Sequence, residues 1–129
     1  MRARSTLHSK RCLIIEDDAA IQSFVRTVVE LEGGSAAVAA TGAEALVRAG
    51  EPGAFDIIVL DFVLRAESGL EVLATLQGLG LVDGCRVVGL SANLNEERRA
   101  RALELGVVTC LSKPIGAPEL RRHLEDALI

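Results

Sequence analysis

Five short apolar runs, spaced by longer amphipathic segments, set the limits on this fold. They are CLII at 12–15, AAVAA at 36–40, DIIVL at 56–60, RVVGL at 86–90 and VVTCL at 107–111. Four are rich in Val, Ile and Leu and almost uninterrupted. A strand with one wet face alternates polar and apolar residues, so continuous runs predict parallel strands covered on both faces. The alanine-rich second run has weak strand propensity and is read as a strand from its place in the rhythm.

The segments between them read as helices. Residues 19–32 place Ile21, Val25, Val28, Val29 and Leu31 roughly along one stripe. Thr41 and Glu44 form a capping box for a helix closing near Gly50, and Leu70, Leu73 and Leu76 mark another over 69–77. Asn95, ahead of Glu96 and Glu97, predicts the N-cap of a fourth helix ending at Gly106. In the last helix Leu120, Leu124 and Leu128 share one face, and Pro118 suits the first turn. Its outer face carries Arg121/Glu125 and Arg122/Asp126 as i,i+4 pairs. Strand and helix alternating five times predict an α/β protein, a (βα)5 doubly wound parallel five-stranded sheet with right-handed crossovers.

A chain of 129 residues fits one domain, and with half of them hydrophobic it can bury a core without staples. Only Phe24, Phe55 and Phe62 are aromatic, so aliphatic side chains must fill that core. A net charge of −4 gives no pull toward nucleic acid. Cys12, Cys85 and Cys110 form no CxxC pair and read as buried thiols of a reducing compartment. The opening MRARSTLHSKR lacks the apolar stretch of a signal peptide, and no run reaches transmembrane length. A solvated basic tail over 1–10, a domain over 11–129, a cytoplasmic location and no membrane partner are expected. His8 and His123 have no metal-ligand company and read as surface residues.

Doubly wound sheets bind ligands at the carboxyl ends of their strands. Those ends carry Glu16-Asp17-Asp18, Asp61, Ser91 and Ser112-Lys113-Pro114. Taken singly, the acids after the first strand read as a solvated loop or a helix cap, Ser91 as a turn residue and Lys113 as a surface lysine. Asp61 follows four apolar residues directly, and together these groups converge on one crevice. Two carboxylates about 4 Å apart repel by about 4 kcal/mol at an effective dielectric of about 20. Several of them without histidine make a hard oxygen site suited to Mg2+. Aspartate also forms an aspartyl-phosphate, and phosphoryl transfer needs positioning and neutralised charge, for which a metal, a lysine and a serine hydroxyl suffice.

The set of EDD at 16–18, Asp61 with Gly69 eight residues on, SA at 91–92 and KP at 113–114 resembles the receiver domain of two-component response regulators, of the chemotaxis-response-regulator type. The resemblance covers residues 11–128, with 30 residues from Asp61 to Ser91 and 22 from Ser91 to Lys113. It implies a flavodoxin-like sheet in strand order 2-1-3-4-5. Asp61 would be the phosphoacceptor for a histidine kinase or histidine phosphotransfer protein. Mg2+ or Mn2+ would be held by Asp17, Asp61 and the backbone carbonyl of Val63, with Glu16 acting through a water. Ser91 and Ala92 would bind the phosphoryl group as the switch, and Lys113 would pair with it. Asp61, Lys113 and Ser91 would carry the chemistry, and Asp18 would cap the following helix. The domain would catalyse only its own phosphorylation and dephosphorylation. The added charge would draw in Ser91 and reshape the face of the fourth helix, fifth strand and fifth helix, read by a partner or a second copy, with no direct contact to nucleic acid.

Four departures from that pattern matter, at five positions. Cys110 replaces the usual fifth-strand aromatic, three residues before Lys113, and Arg65 replaces the usual proline four residues after Asp61. Val63 and Asn93 occupy positions that tune phosphoryl lifetime. An apolar Val63 cannot orient an attacking water, so a long-lived phosphoryl group is expected. Ile115 follows Lys113-Pro114 as in receivers fused to hybrid kinases, which suits a phosphorelay. No output domain follows, so a stand-alone receiver or one excised from a longer chain is expected. Arg98, Arg99 and Arg101 against Glu96, Glu97 and Glu104 read as a solvated face, or else as a charge-paired dimer surface.

Two rival functions stand beside this one. A haloacid-dehalogenase-type phosphatase uses similar groups but places its nucleophile in a DxDx[TV] pattern after the first strand. Here Glu16 and Ala20 break that pattern and no cap domain is present. An adaptor working without phosphorylation would share the fold. No GxxxxGK[ST] exists, which excludes a nucleotide-binding P-loop.

Overall fold

Each apolar run contributes a strand to one parallel sheet in the computed structural model, which describes residues 3–129. The strands are β1 (Arg11–Ile15), β2 (Ser35–Ala39), β3 (Ile57–Leu60), β4 (Arg86–Ser91) and β5 (Thr109–Ser112). They lie in the order β2-β1-β3-β4-β5, as expected. The helices are α1 (Ala19–Leu31), α2 (Gly42–Gly50), α3 (Gly69–Gly78), α4 (Glu96–Glu104) and α5 (Ala117–Ala127).

The continuous apolarity of the strands has its cause in two cores. Alternate strand residues point to opposite faces. Leu13, Ile15, Ile58 and Leu60 pack with Ala45 of α2, Leu70 and Leu73 of α3 and Ala102 of α4. Cys12, Ile14, Ile57 and Val59 pack with Val25 and Val29 of α1 and Leu120 and Leu124 of α5. Weak propensity suffices for β2 because it is an edge strand, mostly half-buried, pairing only with β1.

Helix starts follow the expected chemistry. Asp18 caps α1, Thr41 caps α2 and Asn95 caps α4, each accepting from a first-turn backbone N–H. Caps of this kind contribute about 1 kcal/mol each. The pair Arg121/Glu125 also forms, at 3.5 Å.

Three expectations need correction. The apolar run that predicts the fifth strand spans 107–111, but β5 pairs over Thr109–Ser112. Val107 is buried against the α2–α3–α4 face before the ladder begins, so its apolarity reports packing rather than pairing. Of the cysteines only Cys12 is fully buried, while Cys85 and Cys110 are half-buried. Over the described residues 3–10 the opening segment is not a solvated tail, and the first two residues of that expected tail lie outside the described residues. Leu7 has no exposed surface and joins the α1–α5 core. Beside it, the Ser5 hydroxyl donates to the Glu125 carboxylate at 2.6 Å and the Thr6 hydroxyl to the Glu125 carbonyl at 2.9 Å. One apolar side chain docking beneath the sheet outweighs the polar character of its neighbours.

Candidate functional site

The ladder runs past the strand ends and sets the site residues by their own peptides. The Glu16 N–H donates to the Ala39 carbonyl and the Asp61 N–H to the Ile15 carbonyl, both at 3.0 Å. The Lys113 N–H donates to the Ser91 carbonyl at 2.9 Å. Three loops therefore deliver their first residues to one edge, beside Ser91 at the end of β4 and above the point where the chain crosses from one side of β1 to the other. This is the crevice in which doubly wound sheets bind ligands.

Lys113 lies at the centre of it. Its Nζ donates to Glu16 Oε1 at 2.5 Å and to Asp61 Oδ2 at 3.2 Å. The Lys113–Pro114 peptide is cis. Among the described residues, Glu16, Asp61 and Ser91 are the buried polar ones, at 2%, 6% and 1% exposure. Carboxylates this far from water need partners. Asp61 Oδ1 accepts from the Val63 N–H at 3.0 Å, and Glu16 Oε2 accepts from the Asp18 N–H at 3.2 Å. Burial raises the pKa of Glu16, opposed by the bond from Lys113 and the Asp18 N–H and reinforced by the Asp61 charge. Burial works to lower the pKa of Lys113, but the bond to Glu16 and the charges of Asp61 and Glu16 outweigh it and leave the lysine above its ordinary value.

Glu16, Asp17 and Asp61 each bring a carboxylate oxygen within 4.8 Å of the others. Asp18 turns away to cap α1, as expected. Ser91 Oγ accepts from the Asn93 N–H at 3.4 Å, and Arg98 Nη1 donates to the Asn93 carbonyl at 2.7 Å, so α4 holds the loop that carries Ala92. Val63 is exposed at the mouth of the site and Cys110 is half-buried in β5. One contact was not foreseen. The backbone N–H of Arg65 donates to Asp17 Oδ2 at 2.6 Å, a role no side-chain pattern can announce.

The model of the response regulator receiver domain family matches residues 12–125, and the chain belongs to that family. It is thus a receiver domain of two-component systems, a signalling domain. The chain is 36% identical over 120 residues to the alkaline phosphatase synthesis transcriptional regulatory protein SphR of Synechococcus elongatus, covering 87% of this chain and 46% of that one. It spans about half the length of the curated relatives it matches. The CheY-like receiver domain protein of Methanospirillum hungatei superposes with a TM-score of 0.83 at 27% identity, over 92% of this chain and 93% of that one. A response regulator of Burkholderia pseudomallei, solved with a phosphorylated aspartic acid and a calcium ion, has a TM-score of 0.81 at 25% identity, over 92% and 68% of the two chains. No helix among the described residues is long and apolar enough to cross a membrane.

Proposed function

We propose that this receiver domain accepts a phosphoryl group on Asp61 from a phosphohistidine of a histidine kinase or histidine phosphotransfer protein. The observation that carries the reading is Lys113 reaching both Glu16 and Asp61 in a buried acidic crevice. A single ammonium does not balance three carboxylates, and the oxygen-only donor set of Glu16, Asp17 and Asp61 fits a hard divalent cation, Mg2+ or Mn2+. Asp17 and Asp61 would hold it directly with the Val63 carbonyl, and Glu16 through a water. Bound there, the ion supplies positive charge for the oxygens of the incoming phosphoryl group.

In the transfer, an Asp61 oxygen bonds to phosphorus as the phosphorus–nitrogen bond of the donor breaks. The electron pair stays on the imidazole nitrogen. The Val63 N–H and Lys113 keep the Asp61 carboxylate oriented. The Ser91 hydroxyl accepts from Asn93 and retains its own proton for a phosphoryl oxygen, beside the peptide of Ala92. Drawing Ser91 inward breaks its link to Asn93, and Arg98 carries that change into α4. The α4–β5–α5 face, where Leu103 and Val108 are exposed, is the surface proposed for a partner or a second copy. With Cys110 in β5, no aromatic rotamer contributes, and signalling rests on the β4–α4 loop. The curated relative named above, SphR, is a transcriptional regulatory protein, whereas this domain is proposed to act on proteins rather than on nucleic acid.

The reading is tested by incubating the protein with acetyl phosphate, with and without Mg2+, and weighing it intact beside Asp61→Asn. One added phosphoryl group that requires Mg2+ and is absent in the variant is expected. No addition, or addition that persists in Asp61→Asn, contradicts it and leaves the phosphorylation-independent adaptor.

A further inference from the structure

We infer that the backbone N–H of Arg65 is the positioning donor for Asp17, coupling the loop between β3 and α3 to cation binding. This rests on the reading of the acidic crevice as a cation site. The bond from Arg65 N to Asp17 Oδ2 spans 48 residues of sequence at 2.6 Å. Among the described residues it is the one hydrogen bond accepted by the Asp17 carboxylate.

The loop presents this N–H from a braced frame. Leu64 and Glu67 exchange backbone bonds, with the Leu64 N–H donating to the Glu67 carbonyl at 3.0 Å and the Glu67 N–H donating back at 3.4 Å. Val63 and Ser68 pair as an antiparallel bridge just outside them. Leu64 is buried in the core below. On the far side, Glu67 Oε2 accepts from the Gly42 N–H at 2.8 Å, at the N-terminus of α2. The loop is therefore fastened to the helix after β2, to the core and to the residue after Glu16.

The carboxyl torsion of an aspartate is broad when nothing holds it. A peptide N–H on Oδ2 narrows it and leaves the second oxygen for a cation. The donor belongs to the backbone, so the arginine side chain is not required. A proline here would have no N–H to give. Removing such an outer donor from a metal ligand typically weakens binding by about tenfold or more.

The test is calorimetric titration with Mn2+ of the wild type, Arg65→Pro and the conservative Arg65→Ala. Proline deletes the donor, whereas alanine keeps it and removes the charge. Affinity about tenfold weaker in Arg65→Pro, with alanine at least as tight as wild type, is expected. Unchanged affinity in Arg65→Pro, or an equal loss in Arg65→Ala, overturns the inference. A proline also restrains the residue before it, so a second readout uses no metal. The Arg65 amide should exchange with deuterium severalfold faster in metal-free Asp17→Ala than in wild type, and equal rates overturn the inference as well. Wild-type protein that binds no Mn2+ overturns the cation site and the inference together. Binding lost in Asp61→Asn but intact in Arg65→Pro overturns the inference alone.

Discussion

A Cβ on Gly69 would lie 1.8 Å from the carbonyl oxygen of Asp61. The first residue of α3 thus rests directly on the peptide that carries the site aspartate, and its N–H donates to the Phe62 carbonyl at 2.9 Å. No side chain fits without moving that backbone. Gly69→Ala should lower stability by about 1–3 kcal/mol, as overpacking does, and should weaken Mn2+ binding. Thermal unfolding followed by far-ultraviolet circular dichroism, with calorimetric titration, checks both. A variant unchanged in both would show that the Asp61 peptide yields freely.

Gly89 makes room in the same way for a ring. A Cβ there would come within 2.2 Å of Phe62 Cζ, and Phe62 is 1% exposed. Gly89→Ala is expected to cost about 1–3 kcal/mol in urea unfolding. Adding Phe62→Leu should recover part of the loss, because contacting residues couple. Strict additivity would mean that the ring is not the obstacle.

Lys113 balances two carboxylates that are almost wholly buried. Removing one member of a buried pair typically costs about 3–5 kcal/mol. Lys113→Met should therefore unfold at a lower temperature in EDTA, and Mg2+ should restore more of the loss than it adds to wild type. Equal Mg2+ effects on both proteins would deny that lysine and cation answer the same charges.

Cys12 gives an alkaline signature. Burial pushes its thiol from 9.0 up to about 12. The folded protein keeps the proton longer than the unfolded chain, so this contribution is complete below pH 9 and is lost as pH rises toward 12. The slope is about 1.4 kcal/mol per pH unit within that window. Denaturant unfolding at pH 8 and pH 10 should show wild type losing about 1 kcal/mol more than Cys12→Ala. A thiol reagent should label Cys85 and Cys110 in the native protein and reach Cys12 only on unfolding.

Leu7 tests the docked arm. Leu7→Ala should cost about 2–5 kcal/mol, where a solvated tail would cost nothing. Guanidinium titration of the two proteins decides between them.

What was legible in the sequence follows from where side chains carry information. β1, β3 and β4 announced themselves because burial on both faces demands continuous apolarity. The same signal misplaced β5, since Val107 is apolar for packing and lies ahead of the ladder. Leu7 was hidden because a lone apolar residue among charges has no period to reveal it. The approach of Glu16, Asp17, Asp61 and Lys113 to one another was readable, because strand ends in a doubly wound sheet share one edge. The Arg65 contact was not, since a backbone N–H is common to nineteen of the twenty residue types.

The most direct measurement of the central claim is to treat the acetyl-phosphate-labelled protein with borohydride, which reduces an aspartyl-phosphate to homoserine. The tryptic peptide between Arg48 and Arg65 contains both Asp56 and Asp61, so fragment spectra assign the position. Homoserine at 61 alone, dependent on Mg2+, is the result predicted. Homoserine at 56 or at 17, or none in a protein that folds and binds Mn2+, would contradict Asp61 as the phosphoacceptor.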